Sequence, residues 1–157
     1  DYGVALLNDC KYGYRAKNGL ISINLLRSQM YPCVDQDKGE HEFAYALLPH
    51  AGDVYGGSVA KEAYAMNRPL RLISAEPVES LVRSDNEHAV IETVKPAYDG
   101  NGFIARVYND TPTRIRAHIA CAGRRAYLCD LLENTAGECG GELSFGPYEI
   151  KTLRFVK

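Results

Sequence analysis

Residues 113–121, TRIRAHIAC, alternate between two kinds of side chain. The odd-numbered positions are apolar or threonine, whereas Arg114, Arg116 and His118 hold even-numbered positions. A period of two residues places one face of a β-strand on a core and the other face in water. This run therefore predicts one strand of an all-β protein with an antiparallel β-sandwich architecture.

Shorter apolar runs on either side, bounded by Gly, Asn or Pro, predict further strands. One short helix is predicted over residues 58–66, because Ser58 suits an N-cap and Asn67-Arg68-Pro69 stops a helix. The predicted strands cover residues 4–7, 20–26, 43–48, 102–108, 126–132 and 148–155, and residues 70–73 are a weaker candidate.

A polar stretch divides the chain. Residues 76–88 are rich in charged residues, and they predict a connection between two packed β units. Residues 89–157 then form a small sandwich, with strands spaced as in such folds. Residues 1–75 form the other β unit. A chain of 157 residues can bury one ordinary core or two small ones.

Composition argues against several classes of partner. The formal net charge is -2 and no basic stripe or acidic tail is visible, so we expect neither nucleic acid nor a membrane as a partner. No apolar run approaches the length of a membrane span. Because Asp1-Tyr2-Gly3 leads directly into a predicted strand without an initiating methionine, we expect the chain to be cut from a longer polypeptide.

The cysteine pattern favours reduced thiols. The chain has five cysteines, an odd number, and none of them form the C-x-x-C spacing that would suit zinc or a redox site. Reduced thiols are typical of a cytoplasmic protein, which is the location we expect. The five residues are Cys10, Cys33, Cys121, Cys129 and Cys139.

A polar turn follows the first predicted strand. Asn8, Asp9, Lys11 and Tyr12 bring an amide, a carboxylate, an ammonium and a phenol to this turn, and Gly13 permits a tight reversal. Such groups can bind the hydroxyls and ring face of a sugar. The alternative is that Asn8 and Asp9 only cap local backbone groups. Spacing leaves both interpretations open.

The segment His41-Glu42-Phe43-Ala44-Tyr45 begins like the zinc-protease motif, but Tyr45 stands where the motif has its second histidine. We therefore expect no metal site here. A glycosidase needs two carboxyl groups that flank the scissile bond, and the sequence does not single out such a pair. The acids available by residue type are Asp9, Asp35, Asp37, Glu40 and Glu42.

Three runs in order carry a resemblance to a known family. They are NDCKYGY at residues 8–14, ISINLLRS at 21–28 and GEHEFAYALLPH at 39–50. Together they resemble the C-terminal part of class II α-mannosidases, glycoside hydrolase family 38, in its cytosolic and vacuolar-type branch. Fainter agreement continues at residues 63–70, 130–133 and 147–154.

The resemblance implies a piece of an enzyme without its catalytic machinery. In that family, retaining hydrolysis of α-mannosides uses an aspartate nucleophile and a zinc ion bound in an N-terminal domain. None of those residues can be placed on this sequence, so the resemblance implies no catalytic residue, metal ligand or cofactor in this chain, which alone would be inactive. Zinc is expected in the catalytic domain of the parent enzyme. Residues 1–75 would close a large C-terminal sandwich, and residues 89–157 would be the small terminal one.

The resemblance also implies partners and site residues. The catalytic domain of the same polypeptide and a mannose-containing oligosaccharide are the expected partners. The turn would contact the sugar through Asn8, Asp9 and Lys11. Residues that would support the turn or contact the missing domain are Tyr12, Glu40, His41 and Glu42.

Two other functions stay open from the sequence. One is a carbohydrate-binding module that acts by affinity alone, although the absence of Trp weighs against it. The other is a purely structural or oligomerisation domain, with Arg114 and Arg116 on a solvated or subunit-facing strand. A homo-oligomer is compatible with this second alternative.

Overall fold

The computed structural model describes residues 1–74, 76 and 78–157. It divides into two compact units, Asp1–Ser74 and Ala75–Lys157. Ala75 and Pro77 lie outside the described residues, so the predicted connection over residues 76–88 is described only in part. That segment contains a short strand, Val82–Ser84 (β5), which the sequence did not predict.

The first unit contains four strands and one helix. Strand β1 pairs antiparallel with β4, and β2 pairs antiparallel with β3. Asn18 and Gly19 connect β2 to β3 with φ values of 54° and 74°, as a two-residue hairpin of the Asn-Gly type requires. The bounds are β1 Tyr2–Asn8, β2 Tyr14–Lys17, β3 Leu20–Ile23, β4 Tyr45–Ala51 and α1 Val59–Asn67.

The described residues cover only one face of the β1–β4 sheet. Leu7 points to the covered side and is buried, as is Val59 at the start of α1. On the same side the His50 ring lies against Gly3 and against Gly57, where a Cβ atom would come within 2.5 Å of His50 Nδ1. The opposite side, termed the open face, carries apolar side chains that are exposed or half-buried. Its residues are Tyr2, Val4, Leu6, Tyr45, Leu47 and Pro49.

The second unit is a two-sheet sandwich. A five-stranded antiparallel sheet has the order β10-β9-β12-β7-β6, and a three-stranded sheet has the order β11-β8-β5. The strands are β5 Val82–Ser84, β6 Ala89–Pro96, β7 Phe103–Asn109, β8 Ile115–Cys121, β9 Arg125–Cys129, β10 Thr135–Glu138, β11 Glu142–Phe145 and β12 Ile150–Val156. The core contains Val82, Ala89, Ala105, Val107, Ala117, Ile119, Cys121, Phe145, Leu153 and Phe155.

The predicted fold class is confirmed, with antiparallel strands and one helix throughout the described residues. In β8, Ala117 and Ile119 are buried while Arg116 and His118 are exposed, as the alternation predicts. The helix begins and ends one residue later than predicted. No helix among the described residues has the length and apolar character needed to cross a membrane.

Several strand predictions were wrong in extent. The run 20–26 forms a strand only to Ile23, and the run 126–132 ends as a strand at Cys129. Beyond Cys129 the chain turns, because Asp130 accepts hydrogen bonds from the backbone N–H groups of Leu132 and Asn134. Residues 70–73 form no strand, since they have no pairing partner within the described residues. The sequence patterns also miss β2, β5, β6, β10 and β11, and a bulge after Ile91 breaks the alternation in β6.

A buried carboxylate connects the loop after β9 with the end of β6 and the turn that follows it. Glu133 accepts a hydrogen bond from the Lys95 ammonium and another, at 2.8 Å, from the backbone N–H of Tyr98. The Lys95 bond and then the Tyr98 bond lower the pKa of Glu133 below its ordinary value of 4.5. Folding therefore favours the ionised form of this side chain.

This pKa shift predicts a loss of stability in acid. The contribution of Glu133 is fully present above pH 4.5, and it is lost as the pH falls through the lower pKa of the folded state. We expect Glu133→Gln to reduce the unfolding midpoint in urea at pH 7, and this deficit to shrink as the pH approaches 3. Glu87→Gln is the control, because Glu87 is exposed and forms no ion pair within the described residues. A deficit for Glu133→Gln that is the same at both pH values would contradict the prediction.

Candidate functional site

The polar turn after β1 is organised by Asn8. Its side-chain oxygen accepts hydrogen bonds from the backbone N–H of Cys10, at 3.0 Å, and from that of Lys11. Its side-chain nitrogen donates to the Tyr14 hydroxyl at the start of β2. Both polar ends of Asn8 are therefore engaged within the chain, and this amide shapes the turn.

Asp9 presents an exposed carboxylate beside a thiol. Its backbone N–H donates to the Ala44 carbonyl at 3.3 Å, just before β4. A hydrogen bond with the Cys10 side chain is the main cause that lowers the pKa of Asp9, and the same bond raises the pKa of the Cys10 thiol. At neutral pH the turn therefore offers a carboxylate and a protonated thiol.

Lys11 and Tyr12 complete the polar turn. The Lys11 Nζ atom lies 4.8 Å from the centre of the Phe43 ring, a distance at which the ring face attracts the ammonium. The Tyr12 side chain is 93% exposed. The aromatic ring of Tyr12 is thus available for contact with a ligand or another part of a larger protein.

The second predicted group lies in the segment that leads into β4. The His41 Nε2 atom is hydrogen-bonded to the Asp37 carbonyl at 3.0 Å. Glu40 and Glu42 are exposed, and their carboxylates form no hydrogen bond or ion pair with any residue that the structure describes. Phe43 follows them directly, and its ring contacts Lys11 of the turn. The described contacts of the turn with this segment do not involve the side chains of Glu40, His41 or Glu42.

One contact of this site was not predicted. The Asn67 side-chain nitrogen, at the end of α1, donates to the Asn8 carbonyl at 3.1 Å and to the Ala63 carbonyl at 2.9 Å. The sequence marks Asn67 only as a helix stop. Asn67 and Asn8 are 59 positions apart, so no local sequence pattern predicts a hydrogen bond between them.

The site offers binding groups and no metal centre. Its carboxylate, ammonium and phenol can form hydrogen bonds and stacking contacts with a polar ligand. Within residues 1–74, 76 and 78–157, no three His, Cys, Asp or Glu side chains are grouped so that they would hold a metal ion. The described residues therefore do not fit a zinc site.

Two models of known protein families match this chain. Residues 88–153 match the model of the "Glycosyl hydrolases family 38 C-terminal beta sandwich domain". Residues 1–35 match the model of the "Glycosyl hydrolases family 38 C-terminal domain". The fold and these matches define the C-terminal β region of a glycosyl hydrolase. The chain belongs to glycosyl hydrolase family 38, which confirms the resemblance.

Curated relatives extend the similarity over nearly the whole chain. Alpha-mannosidase G of Dictyostelium discoideum is 34% identical over 178 aligned residues, which cover 99% of this chain. Alpha-mannosidase 2C1 of Homo sapiens is 33% identical over 172 residues, again covering 99% of this chain. A putative mannosylglycerate hydrolase of Halalkalibacterium halodurans is 27% identical over 176 residues. The chain spans only 16% of the length of each of the first two relatives.

Proposed function

We propose that the chain is the non-catalytic C-terminal β region of a retaining α-mannosidase that hydrolyses terminal α-mannosides. Two relatives with the name alpha-mannosidase align with it almost from end to end while being about six times longer, since the chain covers 16% of each. The catalytic domain, with its zinc ion, is then supplied by the rest of the same polypeptide. In this role the chain supports that domain and is inactive by itself.

The open face supports the proposal that residues 1–75 close a larger sandwich. Tyr2, Leu47 and Tyr45 are mostly exposed on one side of a two-stranded sheet. A two-stranded sheet is marginal in water, and contiguous exposed apolar side chains usually mark a contact surface. Residues 89–157 correspond in this proposal to the small terminal sandwich, and they share their core with Val82 of the preceding strand β5.

We assign the polar turn to one side of the sugar pocket. The observation that carries this assignment is the exposed, ionised Asp9 carboxylate, fixed in place by the Asn8 turn and flanked by Lys11 and Tyr12. A carboxylate accepts hydrogen bonds from sugar hydroxyls more strongly than a neutral group does. Asn8 acts by shaping the turn, whereas Asp9 and Lys11 contact the mannose-containing oligosaccharide.

The test is Asp9→Asn in the full-length enzyme, assayed on a small aryl α-mannoside. The substitution keeps the shape of the side chain and removes its charge. Because hydrogen bonds to a charged group are stronger than those to a neutral one, we expect kcat/KM to fall by roughly tenfold to a hundredfold. The thermal midpoint should not change, because the Asp9 side chain is exposed.

Glu87→Gln provides the matched control, since it removes an exposed carboxylate from the second unit. Its kcat/KM should equal that of the unmodified enzyme. If Asp9→Asn has the same kinetics as this control, the turn does not line the pocket. The structural alternative would then be preferred, in agreement with the internal contacts of Asn8.

A cytoplasmic location completes the proposal. All five cysteines are free, including Cys10 and Cys33, which are exposed. Exposed thiols persist in a reducing compartment and pair or oxidise in the secretory pathway. The cysteines therefore support a cytoplasmic enzyme.

A further inference from the structure

Four residues that follow α1 stand out by their exposure. Leu70 is 97% exposed, Leu72 is 98% exposed and Ile73 is 80% exposed. No hydrogen bond, strand pairing or ion pair involves residues 70–73 within the part of the chain that the structure describes. Water thus surrounds both the apolar side chains and the backbone polar groups of this segment, an unfavourable arrangement for so apolar a run.

The sequence of this segment suits a strand. Pro69 prevents α1 from continuing, because proline lacks the backbone N–H that a helix needs. In an extended conformation, Leu70 and Leu72 point to one side, and Arg71 and Ile73 point to the other. Leucine, isoleucine and arginine at these positions fit a strand that is covered on the leucine side.

We infer that residues 70–73 form a β-strand that adds to an edge strand of the polypeptide outside these 157 residues. The inference rests on the proposed function, in which the chain is one part of a longer α-mannosidase. A strand needs a partner for its backbone N–H and C=O groups, and the described residues supply none for residues 70–73. Relatives of which this chain covers only 16% contain the additional polypeptide.

The chemistry of the segment specifies the partner. A free row of backbone N–H and C=O groups pairs with the edge of a sheet, as in β-strand addition. The partner presents apolar side chains where it meets Leu70 and Leu72. Arg68 and Arg71 are the charged residues between positions 64 and 74, with no acid among them. The partner edge is therefore neutral or acidic on the side that Arg71 faces.

Hydrogen exchange in the full-length enzyme tests the inference. We expect the backbone amides of Leu70 and Leu72, or those of Arg71 and Ile73, to exchange at least about a hundredfold more slowly than the amides of Glu87 and Asp99, two exposed loop residues whose N–H groups donate no hydrogen bond within the described residues. Two of the four amides are enough, because alternate residues of an edge-paired strand donate to a given neighbour. Exchange of all four at the rate of the turn amides would overturn the inference.

Two matched variants test the predicted orientation. Leu72→Ser should lower the thermal midpoint of the full-length enzyme by several degrees, whereas Arg71→Ser should change it far less. Equal effects would contradict a strand covered on its leucine side. Asp9→Asn should leave the hydrogen exchange of residues 70–73 unchanged. The kinetics of Asp9→Asn therefore test the pocket assignment, and the exchange of residues 70–73 tests the strand, each independently of the other.

Discussion

Gly102→Ala is expected to destabilise the second unit by about 3–5 kcal/mol. Gly102 lies between β6 and β7 with a φ of +91°, a conformation that L-amino acids with a side chain rarely adopt. A Cβ atom at this position would overlap the carbonyl oxygen of Phe155 and lie 3.1 Å from its carbonyl carbon. Phe155 belongs to β12, which is paired on both sides, so this backbone cannot move without breaking a ladder.

Gly100→Ala separates the two causes of this loss. Gly100 has a φ of +76°, but no atom lies within 4 Å of the position that an alanine methyl group would take there. Only the backbone strain remains, and it costs about 1–2 kcal/mol. Urea unfolding of both variants gives the comparison. If the two variants lose the same free energy of unfolding, the Phe155 carbonyl moves away from the methyl group at little cost. The close approach would then add nothing to the backbone strain.

Phe145→Ala is the second substitution with a large expected effect. The Phe145 side chain is fully buried, at 0% exposure, and lies in the core between the two sheets with Leu153 and Phe155. Replacement by alanine removes most of a buried ring and leaves a cavity, at a cost of about 3–5 kcal/mol. In a domain of this size such a loss lowers the thermal midpoint by roughly 12–40 °C.

Tyr98→Ala is the matched control for the loss of an aromatic ring. The Tyr98 side chain is 94% exposed, and the contact of Tyr98 with Glu133 uses its backbone N–H, which alanine retains. We expect a change within about 0.5 kcal/mol, measured by thermal unfolding of both variants. Similar midpoints for the two variants would mean that the second unit does not depend on Phe145 for its core.

The elements that were predicted correctly are those whose sequence pattern lies within the element or directly beside it. Strand β8 was predicted because its alternation is complete within the strand itself, and α1 because its stop residues adjoin it. The capping role expected of Ser58 was wrong, since its φ is 53° and its side chain forms no capping hydrogen bond. Strand β2 was missed because all four of its residues are exposed, which leaves no apolar face to detect. Residues 70–73 show the reverse case, in which a strand pattern is present without a partner among the described residues.

The candidate site was predictable only in part. The cluster of polar residues at the end of an apolar run pointed to the turn. The roles within the turn depend on contacts with Tyr14, Phe43 and Asn67. The pairing of β1 with β4 creates the contact with Phe43, and no single stretch of sequence contains that pairing. The sequence therefore indicated this turn without distinguishing Asn8, whose amide shapes it, from Asp9, whose carboxylate is exposed.

The position of His50 between Gly3 and Gly57 has an evolutionary consequence. Because a methyl group at either glycine would collide with the imidazole ring in its present position, a side chain at either position requires His50 to move or to be replaced. A homologue that acquires a side chain at position 57 should first have exchanged His50 for a smaller residue. The reverse order would pass through an unstable intermediate. We therefore expect glycine at positions 3 and 57 in homologues that retain His50.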